Sequence, residues 1–284
     1  MKTELPPSVG SFEELRPMFN YDRELGLDVE ETSVEHKNGI AVHDISYASQ
    51  ANGGVPAYLV RPPGTGPFPG VIFVHPAPGN RATFLDEAIM LAKQGALGLL
   101  VEAPWARGEA WGRTLGQPES DRGAFINIAI DLRRAVDLLI SRPDVDANRI
   151  GYAGHSFGAL FGGVLSGVET RIQAFVLLAG TGSFTDIAVL SMPFLQGEAL
   201  EAYRQAMTRI DPIYYVGHAA PSALLFQFGL QDEAFPREKV EAFAEAGSQP
   251  KLVKWYDADH YLNDEARSDR IEWLRTRLGL VWPQ

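Results

Sequence analysis

Short apolar segments and helical segments alternate along the chain, and this alternation predicts the fold class. Seven short segments carry the apolar or alternating pattern of strands and are bounded by Gly, Pro, Asn or Asp. They are residues 56–61, 70–75, 96–101, 149–153, 173–178, 222–228 and 251–256. This order is typical of one α/β domain, with a mostly parallel central sheet of about eight strands and helices on both faces.

The clearest helix lies between residues 125 and 140, where apolar side chains recur three and four positions apart. Pro143 marks its end. Charged residues fill the other positions of this helix, and we expect them to face away from the core. They are Asp131, Arg133, Arg134 and Asp137.

The fourth predicted strand runs directly into the sequence Gly154-His-Ser156-Phe-Gly158, which a helix-forming stretch follows. A serine on a sharp turn from strand to helix needs neighbours without bulk two residues away, because the backbone there is strained and closely packed. The pattern alone is weak, and an ordinary glycine-rich turn is the alternative. The strand before it and the helix after it favour a nucleophile elbow with Ser156 as the nucleophile.

A serine nucleophile needs a base to take its proton and a carboxylate to orient that base. The chain has six histidines, and His218 and His260 are the two that follow Ser156. His260 comes directly after the strand at 251–256 and before a predicted helix, whereas His218 precedes a strand and is typical of a surface loop. We therefore expect His260 to be the base.

The carboxylate is expected at the end of the preceding strand, 222–228, where Asp232 lies in a polar turn. Its neighbour Glu233 is the rival candidate. Asp257 and Asp259 are so close to His260 in sequence that we expect them to cap or solvate its loop.

With these residues in this order, the chain resembles the α/β-hydrolases of the dienelactone hydrolase-like and prolyl-oligopeptidase-like group. The matching motifs are residues 154–158, Gly229-x-x-Asp232-x-x-Phe-Pro236 and Asp-x-Asp-His260, and the match runs from about residue 40 onward. The resemblance implies an α/β-hydrolase fold with residues 41–284 as the catalytic domain. Residues 1–40 then form an extension with a short helix that packs on the main body.

An acyl-transfer enzyme also needs preorganised donors for the oxyanion of its tetrahedral intermediate. The elbow supplies the Phe157 amide, and the second donor is expected in the loop after the strand at 70–75. Because Pro76 and Pro78 have no amide proton, we assign the second donor to Ala77. This loop departs from the His-Gly-Gly-Gly form of many lipases, and His75 is expected to support the loop, as in the resembled group.

Residues 181–217 interrupt the strand rhythm, and in α/β-hydrolases an insertion here is commonly a lid. We predict a short helical cap that lines the substrate pocket, with simple packing on the domain as the alternative. Candidate pocket residues are Trp105, Trp111, Phe184, Met192 and Phe194.

Composition restricts the partners and the chemistry. The net charge of −11 argues against nucleic acid as a partner, and the lack of cysteine excludes disulfides, a cysteine nucleophile and thiolate metal sites. The sequence has no nucleotide-binding or metalloprotease motif, so no cofactor and no metal are expected. Because no hydrophobic leader or membrane span is evident, we predict a cytoplasmic protein that acts on a small-molecule ester and does not bind membranes. A homodimer is left open.

These features together predict a serine carboxylic ester hydrolase, either a carboxylesterase or a deacetylase, that works through an acyl-enzyme. Dienelactone hydrolases proper use a cysteine nucleophile, so Ser156 directs the prediction away from dienelactone as substrate. The first alternative is an amide, peptide or carbon-carbon bond hydrolase of the same fold. A non-catalytic ligand-binding protein on a hydrolase fold is the second.

Overall fold

One mixed sheet forms the centre of the protein in the computed structural model, which describes residues 9–51, 53–108 and 115–280. Within those ranges the sheet has nine strands. They are β1 Glu30–Lys37, β2 Ile40–Ala48, β3 Gly54–Arg61, β4 Phe68–Val74, β5 Leu97–Val101, β6 Val145–His155, β7 Ile172–Leu178, β8 Ala223–Gly229 and β9 Lys251–Tyr256.

The strand order is β1-β2-β3-β5-β4-β6-β7-β8-β9. β1, β2, β3 and β5 pair antiparallel in that order, and every pair from β5 through β4 to β9 is parallel. All residues of β5 and β8 are buried, as expected for parallel strands that helices cover on both faces. The predicted mostly parallel sheet is thus confirmed.

The helices lie on both faces of the sheet. They are α1 Phe12–Leu15, α2 Leu85–Ala92, α3 Pro118–Ser141, α4 Phe157–Val168, α5 Phe184–Ser191, α6 Gly197–Met207, α7 Arg237–Ala246 and α8 Asp264–Arg277. Alternate residues of β4 enter opposite cores: Ile72 and Val74 pack with α3 and α4, whereas Val71 and Phe73 pack with α2 and α8. No helix among the described residues is long and apolar enough to cross a membrane.

The N-terminal region differs from the expectation. Its predicted helix is present, and Leu15 and Phe19 are buried against the main body. However, β1 lies before residue 40 and pairs with β2, so the sheet begins inside the segment that was expected to be an extension. The sequence pattern did not predict β1 or β2. All residues of β1 are exposed, so its sequence lacks the alternation of apolar and polar positions.

The prediction that the charged residues of α3 face away from the core is wrong for three of them. Asp131, Arg133 and Arg134 are all buried, because the N-terminal segment crosses this side of the helix. The guanidinium of Arg134 donates to the carbonyls of Ala48 at 2.7 Å and Gly26 at 2.6 Å. A helical pattern separates charged from apolar positions, but it does not reveal a second layer that supplies polar partners.

Residues 181–217 fold as the predicted helical cap, with α5, α6 and three short 3₁₀ helices. One carboxylate joins the two ends of this cap. Asp211 accepts hydrogen bonds from the Ser183 hydroxyl at 3.0 Å and from the backbone N–H of Phe184 at 2.7 Å, at the start of α5. Asp211 is buried, and this burial raises its pKa from the ordinary 3.8 to about 7.

Helix α4 lies unusually close to the sheet, and two glycines permit this approach. A Cβ atom on Gly158 would lie 2.3 Å from the carbonyl oxygen of Val74 in β4. A Cβ on Gly154, at the end of β6, would lie 2.4 Å from the carbonyl oxygen of Gly158. The absence of bulk on both sides of Ser156 is therefore required by backbone contacts.

This packing predicts opposite effects for two Gly→Ala variants in helices. Gly158→Ala forces α4 away from β4 and should lower the free energy of unfolding by about 1–3 kcal/mol or prevent folding. Gly123→Ala in α3 meets no atom within 4 Å and should raise it by about 0.5–1 kcal/mol. Urea unfolding of both variants measures the difference, and equal effects would show that the close approach is not tight.

The buried Asp211 predicts a pH dependence of stability. Since its pKa is higher in the folded protein than the ordinary 3.8, its contribution to stability is greatest at low pH and is lost as the pH rises towards 7. Asp211→Asn cannot ionise, so its Tm should fall less than that of the native protein between about pH 4 and 7. Glu201→Gln, which changes an exposed carboxylate of the same cap, serves as the control and should follow the native curve. Equal slopes for all three proteins would contradict the prediction.

Candidate active site

Ser156 occupies a strained turn between β6 and α4. Its backbone angles are φ 53° and ψ −114°, a region that residues other than glycine rarely adopt. The Ser156 amide donates to the carbonyl of Leu178 in β7 at 2.8 Å, which ties the turn to the sheet. A strained backbone that several contacts hold in place is typical of functional positions. The turn lies at the carboxyl edge of the parallel strands, where sheets of this kind bind ligands.

Asp232 and His260 meet at the same edge of the sheet. Asp232 follows β8 and His260 follows β9, and the distance from His260 Nδ1 to Asp232 Oδ2 is 2.8 Å. The other oxygen of Asp232 accepts from the backbone N–H of Ala234 at 2.8 Å, which fixes the carboxylate. Because Nδ1 donates to the carboxylate, Nε2 of neutral His260 holds a lone pair and is able to accept a proton.

The His260 loop is attached to the elbow itself. Nε2 of His155, the residue before Ser156, donates to the His260 carbonyl at 2.8 Å, and the two imidazole rings lie 5.2 Å apart. Burial lowers the pKa of His155 to about 4, so this side chain stays neutral. A Cβ on Gly229, at the end of β8, would lie 2.3 Å from the Asp259 carbonyl, so the loops after β8 and β9 also touch.

The other carboxylates and the other histidine that follow Ser156 in the candidate motifs make different contacts. Asp257 accepts from the Gln231 side chain at 2.5 Å, and Asp259 accepts from the backbone of Tyr261 at 2.8 Å, so both organise the His260 loop. Glu233 is exposed. His218 stacks on Phe12 of the N-terminal helix α1, with ring centroids 3.7 Å apart.

Ala77 and Phe157 lie on the wall of one cavity of about 250 Å³. Within the described ranges, neither backbone N–H donates to an acceptor. The first turn of a helix leaves its N–H groups free, which accounts for Phe157 at the start of α4. Ala77 and Phe157 therefore remain the candidate donors to an oxyanion.

The pocket candidates meet on the walls of the same cavity, with the exception of Trp111, which lies outside the described residues. Trp105 stacks on the Phe157 ring with centroids 4.4 Å apart, and Phe194 is 67% exposed at the rim. The other candidates on the walls are Phe184 and Met192. Among the residues that the structure describes, no cluster of three or more His, Asp or Glu side chains is able to hold a metal ion.

Sequence reasoning missed part of this wall. Besides the predicted Phe184, helix α5 lines the cavity with Ile187, Ala188 and Ser191, and the spacing of three and four residues among these four was readable as one helical face. Tyr203, from α6, carries no comparable signal, because its direction depends on how the two cap helices pack.

One protein-family model matches part of the chain. A family model described as "BAAT / Acyl-CoA thioester hydrolase C terminal" matches residues 132–214, a segment that includes the elbow and most of the cap. No curated protein matches the sequence significantly.

Solved structures resemble almost the whole chain. An acetyl xylan esterase from Paenibacillus sp. R4 is 19% identical, with a TM-score of 0.79, and the match covers 97% of both chains. Acetyl xylan esterase 1 from Thermoanaerobacterium sp. JW/SL YS485 is 17% identical, with a TM-score of 0.78 over 96% of this chain and 95% of that one. An S-formylglutathione hydrolase from Agrobacterium tumefaciens is 18% identical, with a TM-score of 0.67 over 88% and 100%.

At these identities the likeness establishes the fold, and it agrees with the features described above. The strand order is that of a mostly parallel sheet, and a glycine-flanked serine stands at the turn from β6 to α4. The chain has the α/β-hydrolase fold.

Proposed function

We propose that this protein is a serine hydrolase that cleaves carboxylic esters through an acyl-enzyme. The observation that carries the proposal is the hydrogen bond between His260 and Asp232, in a loop that His155 ties to the elbow of Ser156. A base oriented by a carboxylate beside an elbow serine is the arrangement that activates a hydroxyl nucleophile. The strained backbone of Ser156 supports the same role.

The roles follow from the atoms. His260 Nε2 takes the proton of the Ser156 hydroxyl while the serine oxygen attacks the ester carbonyl. The amides of Phe157 and Ala77 stabilise the negative oxygen, and His260 then returns the proton to the leaving alcohol. Water repeats the same steps on the acyl-enzyme, while Asp232 remains ionised and holds the imidazole.

The cavity favours small acyl groups. Its volume of about 250 Å³ lies just below the usual range of about 300–1,000 Å³ for ligand pockets, and its walls are mostly aromatic and aliphatic. The similarity to acetyl xylan esterases supports an acetyl or other short acyl group, which makes deacetylation the narrower form of the proposal.

A thioester is the second candidate substrate. The family model of an acyl-CoA thioester hydrolase covers the elbow and most of the cap, and the same residues would attack a thioester carbonyl. A thiolate leaves more readily than an alkoxide, so a thioester needs less assistance from His260 during acylation. Amide, peptide and carbon-carbon substrates would use the same triad and stand as further alternatives.

Hydrolysis of p-nitrophenyl esters from acetate to dodecanoate tests the proposal. Ser156→Ala and His260→Ala should lower kcat by a factor of about 10⁴ to 10⁶, and Asp232→Asn by about 10⁴, because each removes one part of a coupled unit. His218→Ala, a histidine stacked on Phe12, is the matched control and should retain native turnover.

The chain-length series measures the preferred acyl length, and a change of leaving group distinguishes an ester from a thioester substrate. We expect the highest turnover with the acetate or the butyrate ester. An acetyl thioester assayed beside p-nitrophenyl acetate separates the two candidate substrates. If native protein turned over every ester and thioester no faster than Ser156→Ala, hydrolysis of these substrates through Ser156 would be ruled out.

A further inference from the structure

Trp105 contacts both segments that carry the candidate oxyanion donors. It lies in a short 3₁₀ helix, Pro104–Ala106, just after β5. Its indole N–H donates to the carbonyl oxygen of Pro76 at 2.8 Å, and its ring stacks on Phe157 at 4.4 Å. A buried indole N–H ordinarily finds an acceptor, and here the acceptor is the carbonyl next to the Ala77 N–H.

His75 gives the Pro76 carbonyl a second donor. The backbone N–H of Ala103 donates to His75 Nε2 at 3.0 Å, so the ring proton must be on Nδ1, which lies 2.8 Å from the Pro76 oxygen. The indole nitrogen of Trp105 is also 3.0 Å from His75 Nδ1, but both nitrogens carry protons and cannot bond to each other. Burial lowers the His75 pKa to about 4, so this arrangement persists at neutral pH.

The Pro76 carbonyl and the Ala77 N–H belong to the same peptide group. This peptide is trans, and a planar trans peptide directs its C=O and N–H in opposite directions. Two donors that fix the carbonyl therefore also fix the direction of the Ala77 N–H. Donation to the carbonyl oxygen further polarises the peptide and makes its N–H a stronger donor.

We propose that Trp105 is a positioning residue of the oxyanion hole: its indole N–H, together with His75, holds the Pro76–Ala77 peptide so that the Ala77 amide faces the reacting carbonyl. Its stacking on Phe157 keeps the second donor at a set distance from the first. This inference rests on the proposed function, since it assigns a role in the same reaction.

Trp105→Phe keeps an aromatic ring against Phe157 and removes the indole N–H. With p-nitrophenyl acetate, kcat should fall about tenfold, less than the 10²–10³ expected when a donor is deleted outright, because His75 still holds the carbonyl. KM should stay within about twofold, since the ground-state ester does not depend on the oxyanion donors. The matched control is Trp273→Phe in α8, on the other face of the sheet, which should keep the native kcat.

A trifluoromethyl ketone provides a readout that a purely structural role would not change. This probe forms a tetrahedral adduct with an oxyanion, so its Ki for Trp105→Phe should rise by the same factor by which kcat/KM falls. Replacement of Trp105 by benzothienylalanine, which has the shape of tryptophan without the N–H, should reproduce the effect with an unchanged Tm.

The outcomes separate this inference from the proposed function. If Ser156→Ala abolished turnover while Trp105→Phe and the benzothienylalanine variant kept native kcat and Ki, the positioning role would be wrong and the esterase proposal would stand. A rise in KM with kcat and Ki unchanged would make Trp105 a pocket wall only and would also overturn the inference. If Ser156→Ala retained full turnover, the proposed function itself would fail first.

Discussion

The close approach of α4 to the sheet is the constraint on which the site depends. The backbone of Gly158 lies so near β4 that only glycine fits there, and this contact sets the start of the helix. The tight turn leaves Ser156 with a positive φ and leaves the Phe157 N–H without an acceptor in the described structure. One packing contact therefore positions both the proposed nucleophile and one proposed oxyanion donor.

The remaining parts of the site reach the same place through loops that follow parallel strands. The loop after β4 brings Ala77, and those after β8 and β9 bring Asp232 and His260. Backbone contacts join these loops: the His260 carbonyl accepts from His155, and Gly229 lies against the Asp259 carbonyl. The cap then covers the cavity, and Asp211 holds its two ends together.

Much of this arrangement could be predicted from the sequence, because its signals are local. The glycines around Ser156, and polar turns directly after apolar strands at Asp232 and His260, are features of adjacent residues. What could not be predicted depends on distant partners. Arg134 is buried because another segment supplies its carbonyl acceptors, and β1 pairs through its backbone without an apolar pattern. The bond from Trp105 to Pro76 likewise depends on side-chain direction, which spacing does not determine.

The central claim is that the elbow and the Ala77 loop surround one reacting carbonyl beside Ser156. A crystal structure of the protein with a small alkyl boronic acid tests it most directly, since boron forms a tetrahedral adduct with an activated serine oxygen. The account predicts a bond from boron to Ser156 Oγ, with one boronate oxygen about 2.7–3.1 Å from the amides of both Ala77 and Phe157. A boronate attached elsewhere, or bound to Ser156 with neither amide within hydrogen-bonding distance, would contradict the account.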